Sequence, residues 1–546
     1  MEKVKEIVKE RKFKYISFFW LLISIQFIVG GNLQTRGYLS NTFQEIIIDI
    51  LKIIILFIAF LAIHYLVLHL IEKRKTKNKT NANVKTKPEM KSWKKTIIYF
   101  LIIVVCWLPA IIAFAPIMTN YDGPWQIFRY VLDILDTRQP IIHSVLMGMF
   151  FVFGHLQFNP ISVGMLLFTI FQVCIMAGIF AYSVKIVEQT TNKKWIRNIS
   201  LIFYALFPFN QLFPLMTTKD TLFAGLALLF IINLSKLVKG KYKFLDYLYM
   251  IVLTVLMLLF RNNAVYALIA SIPFLIVIWH KNKKVLKDIL LSFILIIIIY
   301  QISMNLLIYI YNPRINTDQE KLSIFSQATA RICKEKGEEL TEEEKQNINF
   351  YFHDYKKIGE VYQPNISDTT KDMTNCENIY GNKIEFGKFM LHLFIKYPQI
   401  YIESFLNTIR GYWYINDKSF DDPSSVKPKG CLELTTGKLF YLEDWDLAPQ
   451  IREFYNSMFA ENNYEKIPII NIAFKPAIYF YLLIAYCLYA LYKKDKNKET
   501  IGIYLLLYFL TCFLGPVALI RYIYAVIVSV PIIASSVFND AKKEDI

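Results

Sequence analysis

Charge is scarce in this chain. Of its 546 residues only 19% are Asp, Glu, Lys or Arg, while 55% are hydrophobic. A mean hydropathy of +0.36 is too apolar for a soluble protein with one core. Cysteine is also sparse. Cys106, Cys174, Cys487 and Cys512 fall in apolar runs and read as small core residues. Cys333, Cys376 and Cys431 lie in a polar stretch without zinc-site spacing. One disulfide among these three is allowed, and the odd count argues against a full framework. There is no Walker A loop or strand-anchored glycine fingerprint, and nothing supports a zinc, haem, flavin or nucleotide site. No cleavable leader is evident, because "YISFFWLLISIQFIVGG" follows a basic start without a small-x-small site and reads as an uncleaved first span.

What is abundant is long apolar runs. "IIILFIAFLAIHYLVLHL", "TIIYFLIIVVCWLPAIIAFAPI" and "ILLSFILIIIIYQISMNLLIYI" approach or exceed the roughly 20 residues that cross a bilayer core. The chain reads as an all-α polytopic membrane protein. About twelve spans are expected, at 14–31, 50–71, 98–118, 160–184, 198–214, 219–236, 244–260, 264–279, 286–310, 467–491, 499–516 and 521–538. The net charge of +17 comes largely from Lys-rich loops between these runs. That is the positive-inside pattern of a multi-pass cell-membrane protein with both termini cytoplasmic, and not a nucleic-acid footprint.

The basic loops share one side only if "PIIHSVLMGMFFVFGHLQF" (140–158) does not cross. It is therefore expected to be a short juxtamembrane helix on the outer face. The chain divides into an amino-terminal hairpin and basic loop (1–97), a transmembrane core (98–310), a mostly helical extracytoplasmic domain (311–466) and carboxy-terminal helices (467–546). Within that domain, "FGKFMLHLFIKYPQIYIESFLNTIRGYWYI" is amphipathic and aromatic and is expected to lie along the interface.

This topology places several charged residues together on the outer face. "NYDGPWQIFRYVLD" supplies Asp122 and Arg129, "TRQPIIH" supplies Arg138 and His143, and "TTKDTLF" supplies Lys219 and Asp220. "FRNNAVY" supplies Arg261 and Asn263, and "GPVALIRYIY" supplies Arg521. A lone cation at a span end is usually a snorkelling anchor and a loop Asp is usually just solvated. The convergence of both signs at short turns is what carries weight.

On these segments the chain resembles the GT-C superfamily of membrane glycosyltransferases, which use polyprenyl-phosphate-linked sugars. In that superfamily the first outer loop of the core carries an acidic residue, and a Pro-containing segment then opens a short apolar helix. Here "NYDGPW" and "RQPIIHSVLMGMFFVFG" have that form over roughly 98–310 and 467–538. The chain departs from the pattern in having Gly123 and Pro124 after Asp122, and "QPII" for a double proline.

The resemblance implies transfer of a sugar, with inversion, from a polyprenyl-phosphate donor to an extracytoplasmic glycan, lipid or protein. Lys- and Ile-rich, Gly- and Ala-poor usage points to an AT-rich bacterial source and an undecaprenyl carrier. Asp122 is the expected general base. Asp220 would orient a substrate or share Mg2+ or Mn2+ with Asp122. Lys219, Arg261 and Arg521, then Arg129 and Arg138, are expected to bind the donor phosphate. His143, Asn263 and Trp413 are candidate sugar contacts. The competing readings are a flippase for a lipid-linked saccharide, which would carry charge near the bilayer midplane, and a non-catalytic envelope-assembly scaffold.

Overall fold

The structure is a computed structural model that describes residues 11–77, 92–119, 122–158, 162–191, 193–240, 243–315, 319–417, 445–468 and 470–539. Both chain ends, the basic loop 78–91 and Cys431 lie outside the described residues. The principal helices are α1 (Arg11–Arg36), α2 (Phe43–Lys77), α3 (Ser92–Ala113), α4 (Gly123–Val131), α5 (Ile141–Gln157) and α6 (Ser162–Thr190). Then come α7 (Lys194–Leu206), α8 (Lys219–Val238), α9 (Phe244–Phe260), α10 (Ala264–Trp279) and α11 (Lys283–Tyr311). The last six are α12 (Ser323–Lys336), α13 (Lys383–Lys396), α14 (Pro398–Thr408), α15 (Pro476–Lys493), α16 (Lys496–Thr511) and α17 (Tyr524–Val537). Among the described residues, pairing between extended segments is confined to isolated bridges.

Eight helical segments are long and apolar enough to cross a membrane: α1, α2, α3, α6, α8, α11, α15 and 520–537, which contains α17. Helices satisfy every backbone polar group internally, which is what lets such segments sit in hydrocarbon. α5, α9 and α10 are apolar but shorter. The run expected at 198–214 is not one helix. α7 stops at Leu206, a single turn follows at Pro208–Leu212, and a 3-10 turn at Phe213–Leu215 completes it. Pro208 and Pro214 each deny the helix an N–H, and the residue before a proline is driven out of the helical region, as Phe207 is at ψ 124°.

α8 is the axis of the bundle, with 83% of its apolar window buried, whereas none of the α2 window is. Gly225 lets α8 approach α6, because a Cβ there would meet the Met176 sulfur at 2.7 Å. α5 leaves the bundle end beside the first turns of α6. Phe150 stacks edge-on to Phe168, and Gly164 packs on the Phe150 carbonyl and Gly154.

Residues 322–397 hold a second apolar core, around Ile332, Ile348, Phe352, Ile358 and Leu393. Cys333 and Cys376 are buried there as free thiols. The amphipathic stretch expected at the interface breaks at Pro398 into α13 and α14. A buried Arg331–Glu403 ion pair at 2.7 Å joins this unit to α14. Glu403 also accepts from the Leu39 N–H at 2.7 Å, and Arg331 donates to the Gly37 carbonyl, so the unit is held on the α1–α2 turn. It also meets the turn before Arg521, where the Ser367 N–H bonds the Pro516 carbonyl at 2.9 Å.

Candidate functional site

Two turns form the site, and backbone geometry brings them together. Met118 and Met216 form a parallel bridge. The Met118 N–H donates to the Leu215 carbonyl at 2.8 Å, and the Thr217 N–H donates to the Met118 carbonyl at 3.0 Å. Each segment leads directly into a helix start. Asp122 stands at the N-cap position of α4 without a side-chain cap bond, and Pro124 is in the first turn, where a missing N–H costs nothing. Thr218 caps α8, its hydroxyl accepting from the Asp220 N–H. Gly123 is required at the crossing, because a Cβ there would lie 2.0 Å from the Thr217 hydroxyl.

The two carboxylates that result are different. Asp220 is fully buried. It is ion-paired to Arg261 and accepts from the Thr218 hydroxyl at 3.2 Å. Asp122 keeps 38% of its side chain exposed. It lines a cavity of about 290 Å³ with Trp125, Arg129, Arg138 and Gln139. Burial pushes its carboxyl up, but Lys219, Arg521, Lys371 and Arg138 together hold it below the ordinary 3.8. It is an accessible, ionised carboxylate.

Arg521 lies between the two. Its guanidinium is 3.9 Å from Asp122 and 3.9 Å from Asp220, beyond hydrogen-bond reach of either. Its buried Nε has no hydrogen-bond partner. Arg261, by contrast, is occupied: it pairs with Asp220, donates to the Asn263 side-chain oxygen at 2.9 Å and stacks 4.7 Å from the Tyr522 ring. Asn263 thus positions Arg261. Lys219 donates to Gln139 at 2.5 Å.

Gln139 also accepts from Gln126 at 3.3 Å, and the Gln126 oxygen faces His143 Nδ1 at 2.6 Å. That chain of donors leaves His143 Nε2 as a buried acceptor without a partner. Burial, with Lys219 acting in the same direction, pushes the His143 imidazole down to about 3, so it is neutral at pH 7. Gln126 and Gln139 are contributions that sequence reasoning missed. Neutral amides carry no charge signal and stand here beside ordinary loop residues.

The other expected residues fall as follows. Arg129 faces the cavity but is held by Asp136 at 2.7 Å. Arg138 lines the cavity and reaches Gln319 at 3.5 Å. Trp413 is elsewhere: it is buried, its indole N–H bonds the Leu406 carbonyl, and its carbonyl accepts from Tyr481. The pair Asp122 and Asp220 does not fit a shared Mg2+ or Mn2+. A guanidinium lies between them, and Arg261 already occupies Asp220. Among the described residues, no three His, Cys, Asp or Glu side chains come together.

Three cations against two carboxylates leave this end of the bundle with a positive excess, and the buried Arg521 Nε is a donor without a partner. An anion with hydrogen-bonding oxygens suits that donor. The class defined is an all-α, multi-pass membrane protein with a charged polar site at one end of its bundle. Residues 131–545 match a family model described as "Family of unknown function (DUF6020)", and the chain belongs to that family. No curated protein and no solved structure matches it.

Proposed function

We propose that this protein is a membrane glycosyltransferase resembling the GT-C superfamily, moving a sugar from a polyprenyl-phosphate donor to an extracytoplasmic acceptor. The observation that carries the reading is the placement of Asp122, accessible and ionised, 3.9 Å from a buried arginine with an unsatisfied Nε. In the transfer, Asp122 takes the acceptor's hydroxyl proton as that oxygen bonds to the anomeric carbon. The bond from that carbon to the phosphate oxygen breaks on the opposite face, and the phosphate leaves with the electron pair. Arg521 and Lys219 receive the departing anion, backed by Arg261 through Asp220. The base contributes roughly 10²–10⁴ in rate, and a preorganised cation about 10²–10³.

The lysine-rich loops support an outer-face position for this site. α5 fits a juxtamembrane position: it runs from His143 beside Met165 and Phe168 of α6, not toward Ser183, where α6 meets Tyr204 of α7. α9, α10, α16 and the broken 194–215 segment make up the remaining crossings. A passage role is less well served, because the buried charges Asp220, Arg261 and Arg521 meet at this end. Asp122→Asn should insert and fold normally yet lose transfer from a polyprenyl-phosphate sugar; normal transfer by that variant excludes Asp122 as the base.

A further inference from the structure

The 322–397 unit carries an apolar groove of about 620 Å³, walled by Leu322, Phe325, Tyr380, Phe386, Leu391 and Phe394. It is the larger of the two cavities described here, and the transfer step above makes no use of it. Its outer lip is α13, which is apolar on both faces. Phe386, Met390 and Leu393 are buried, while Ile384, Leu391 and Ile395 are 70%, 57% and 69% exposed. Lys383, at the groove, and the exposed Lys388, one turn from Ile384 and Leu391, bring positive charge to this outward stripe, against one exposed carboxylate, Glu385. An apolar helix face edged by lysines complements hydrocarbon beside anionic headgroups.

The groove is not remote from the charged cavity. Its inner wall begins at Leu322, the last residue of a single 3-10 turn, Gln319–Leu322. The first residue of that turn accepts from Arg138, which lines the cavity beside Asp122. At a rise of about 2 Å per residue the two are roughly 6 Å apart along the turn. One turn thus supplies both a wall residue of the groove and a partner of the Arg138 that lines the charged cavity. Its helices are also tied to the bundle end, since Gln399 and Glu403 of α14 bond Leu39 in the α1–α2 turn.

We infer that the acceptor is itself a membrane amphiphile, a hydroxyl-bearing anionic lipid. Its hydrocarbon chain lies in the 322–394 groove, and its polar end passes Arg138 to present the hydroxyl to Asp122. This rests on the transferase reading and adds to it the chemical class of the nucleophile.

The test uses the full chain in phosphatidylcholine vesicles containing phosphatidylglycerol with a diazirine in its acyl chain, followed by photolysis and peptide mapping. Label is expected in segments 322–325 and 387–394, equally in wild type and Asp122→Asn. Dioleoyl phosphatidylglycerol should compete it away, and the short-chain dihexanoyl lipid should not. Leu391→Glu, at an exposed position that the fold tolerates, should reduce groove labelling by about tenfold, as loss of one or two buried methylenes' worth of chain contact does. Label confined to the spanning helices, groove label indifferent to Leu391→Glu, or a cross-linked second copy of the chain in its place would overturn the inference. An unlabelled groove in a protein whose transfer still depends on Asp122 removes the lipid acceptor and leaves the transferase. A labelled groove in a protein whose transfer survives Asp122→Asn removes the transferase mechanism and leaves a lipid site.

Discussion

Replacing Arg521 by Gln removes the one buried cation shared by both carboxylates. At 3.9 Å from each, with an effective dielectric near 20, each pairing is worth roughly 4 kcal/mol before the cost of burial is deducted. Little of this should appear as lost stability. Asp220 keeps Arg261 and the Thr218 hydroxyl, and Asp122 keeps Lys219 nearby. The loss in folding should therefore fall below the roughly 3–5 kcal/mol of an orphaned buried pair. The effect belongs in catalysis. Transfer of labelled sugar from a polyprenyl-phosphate donor, measured on purified protein in nanodiscs, should drop about 10²–10³-fold. Arg521→Lys should recover part of it. The pH profile supplies an independent reading. In wild type, Lys219, Arg521 and their neighbours hold Asp122 below its ordinary value, so the acid limb should lie below pH 3.8. Without the guanidinium, burial gains ground and the limb should move upward. Transfer within threefold of wild type, or an acid limb that does not move, would refute the reasoning.

Gly123→Ala should cost about 1–3 kcal/mol of stability, because the new Cβ meets the Thr217 hydroxyl at 2.0 Å and must separate the two turns; a thermal melt alongside the transfer assay reads both effects. Glu344 is held down to about 2 by Lys396, the Thr341 N–H and His392 against the opposing effect of burial. Its contribution to the 322–397 unit is thus complete above about pH 4.5 and disappears as the pH falls toward 2, and Glu344→Gln should flatten the acid-unfolding curve over that window. In a cysteine-free background, Glu342→Cys should react with an impermeant thiol reagent on intact cells and Lys281→Cys only after permeabilisation; the reverse pattern would invert the assigned topology.

The long apolar helices are legible in the sequence because length and hydropathy alone define them. Pro208 and Pro214 mark the 194–215 break, but averaging hydropathy over so apolar a run conceals two prolines. The convergence of Lys219, Asp220, Arg261 and Arg521 could be anticipated from their shared position at turns on one side. What no local pattern reveals is the bridge between Met118 and Met216 that sets Asp122 against Asp220, since a two-residue pairing has no periodicity. Nor does sequence say which charge is spent on which: Arg129 is consumed by Asp136 and Arg261 by Asp220, while Arg521 keeps an unsatisfied Nε. Trp413 is a candidate sugar contact by sequence, yet the Leu406 carbonyl holds its indole in the bundle core.

An experimental structure of the full chain with a polyprenyl phosphate bound would test the central claim most directly. The account predicts phosphate oxygens within about 3 Å of Arg521 Nε and of the Lys219 ammonium, with the Asp122 carboxylate facing the open side. A phosphate bound elsewhere, with Arg521 still buried between its two aspartates and untouched, would contradict it.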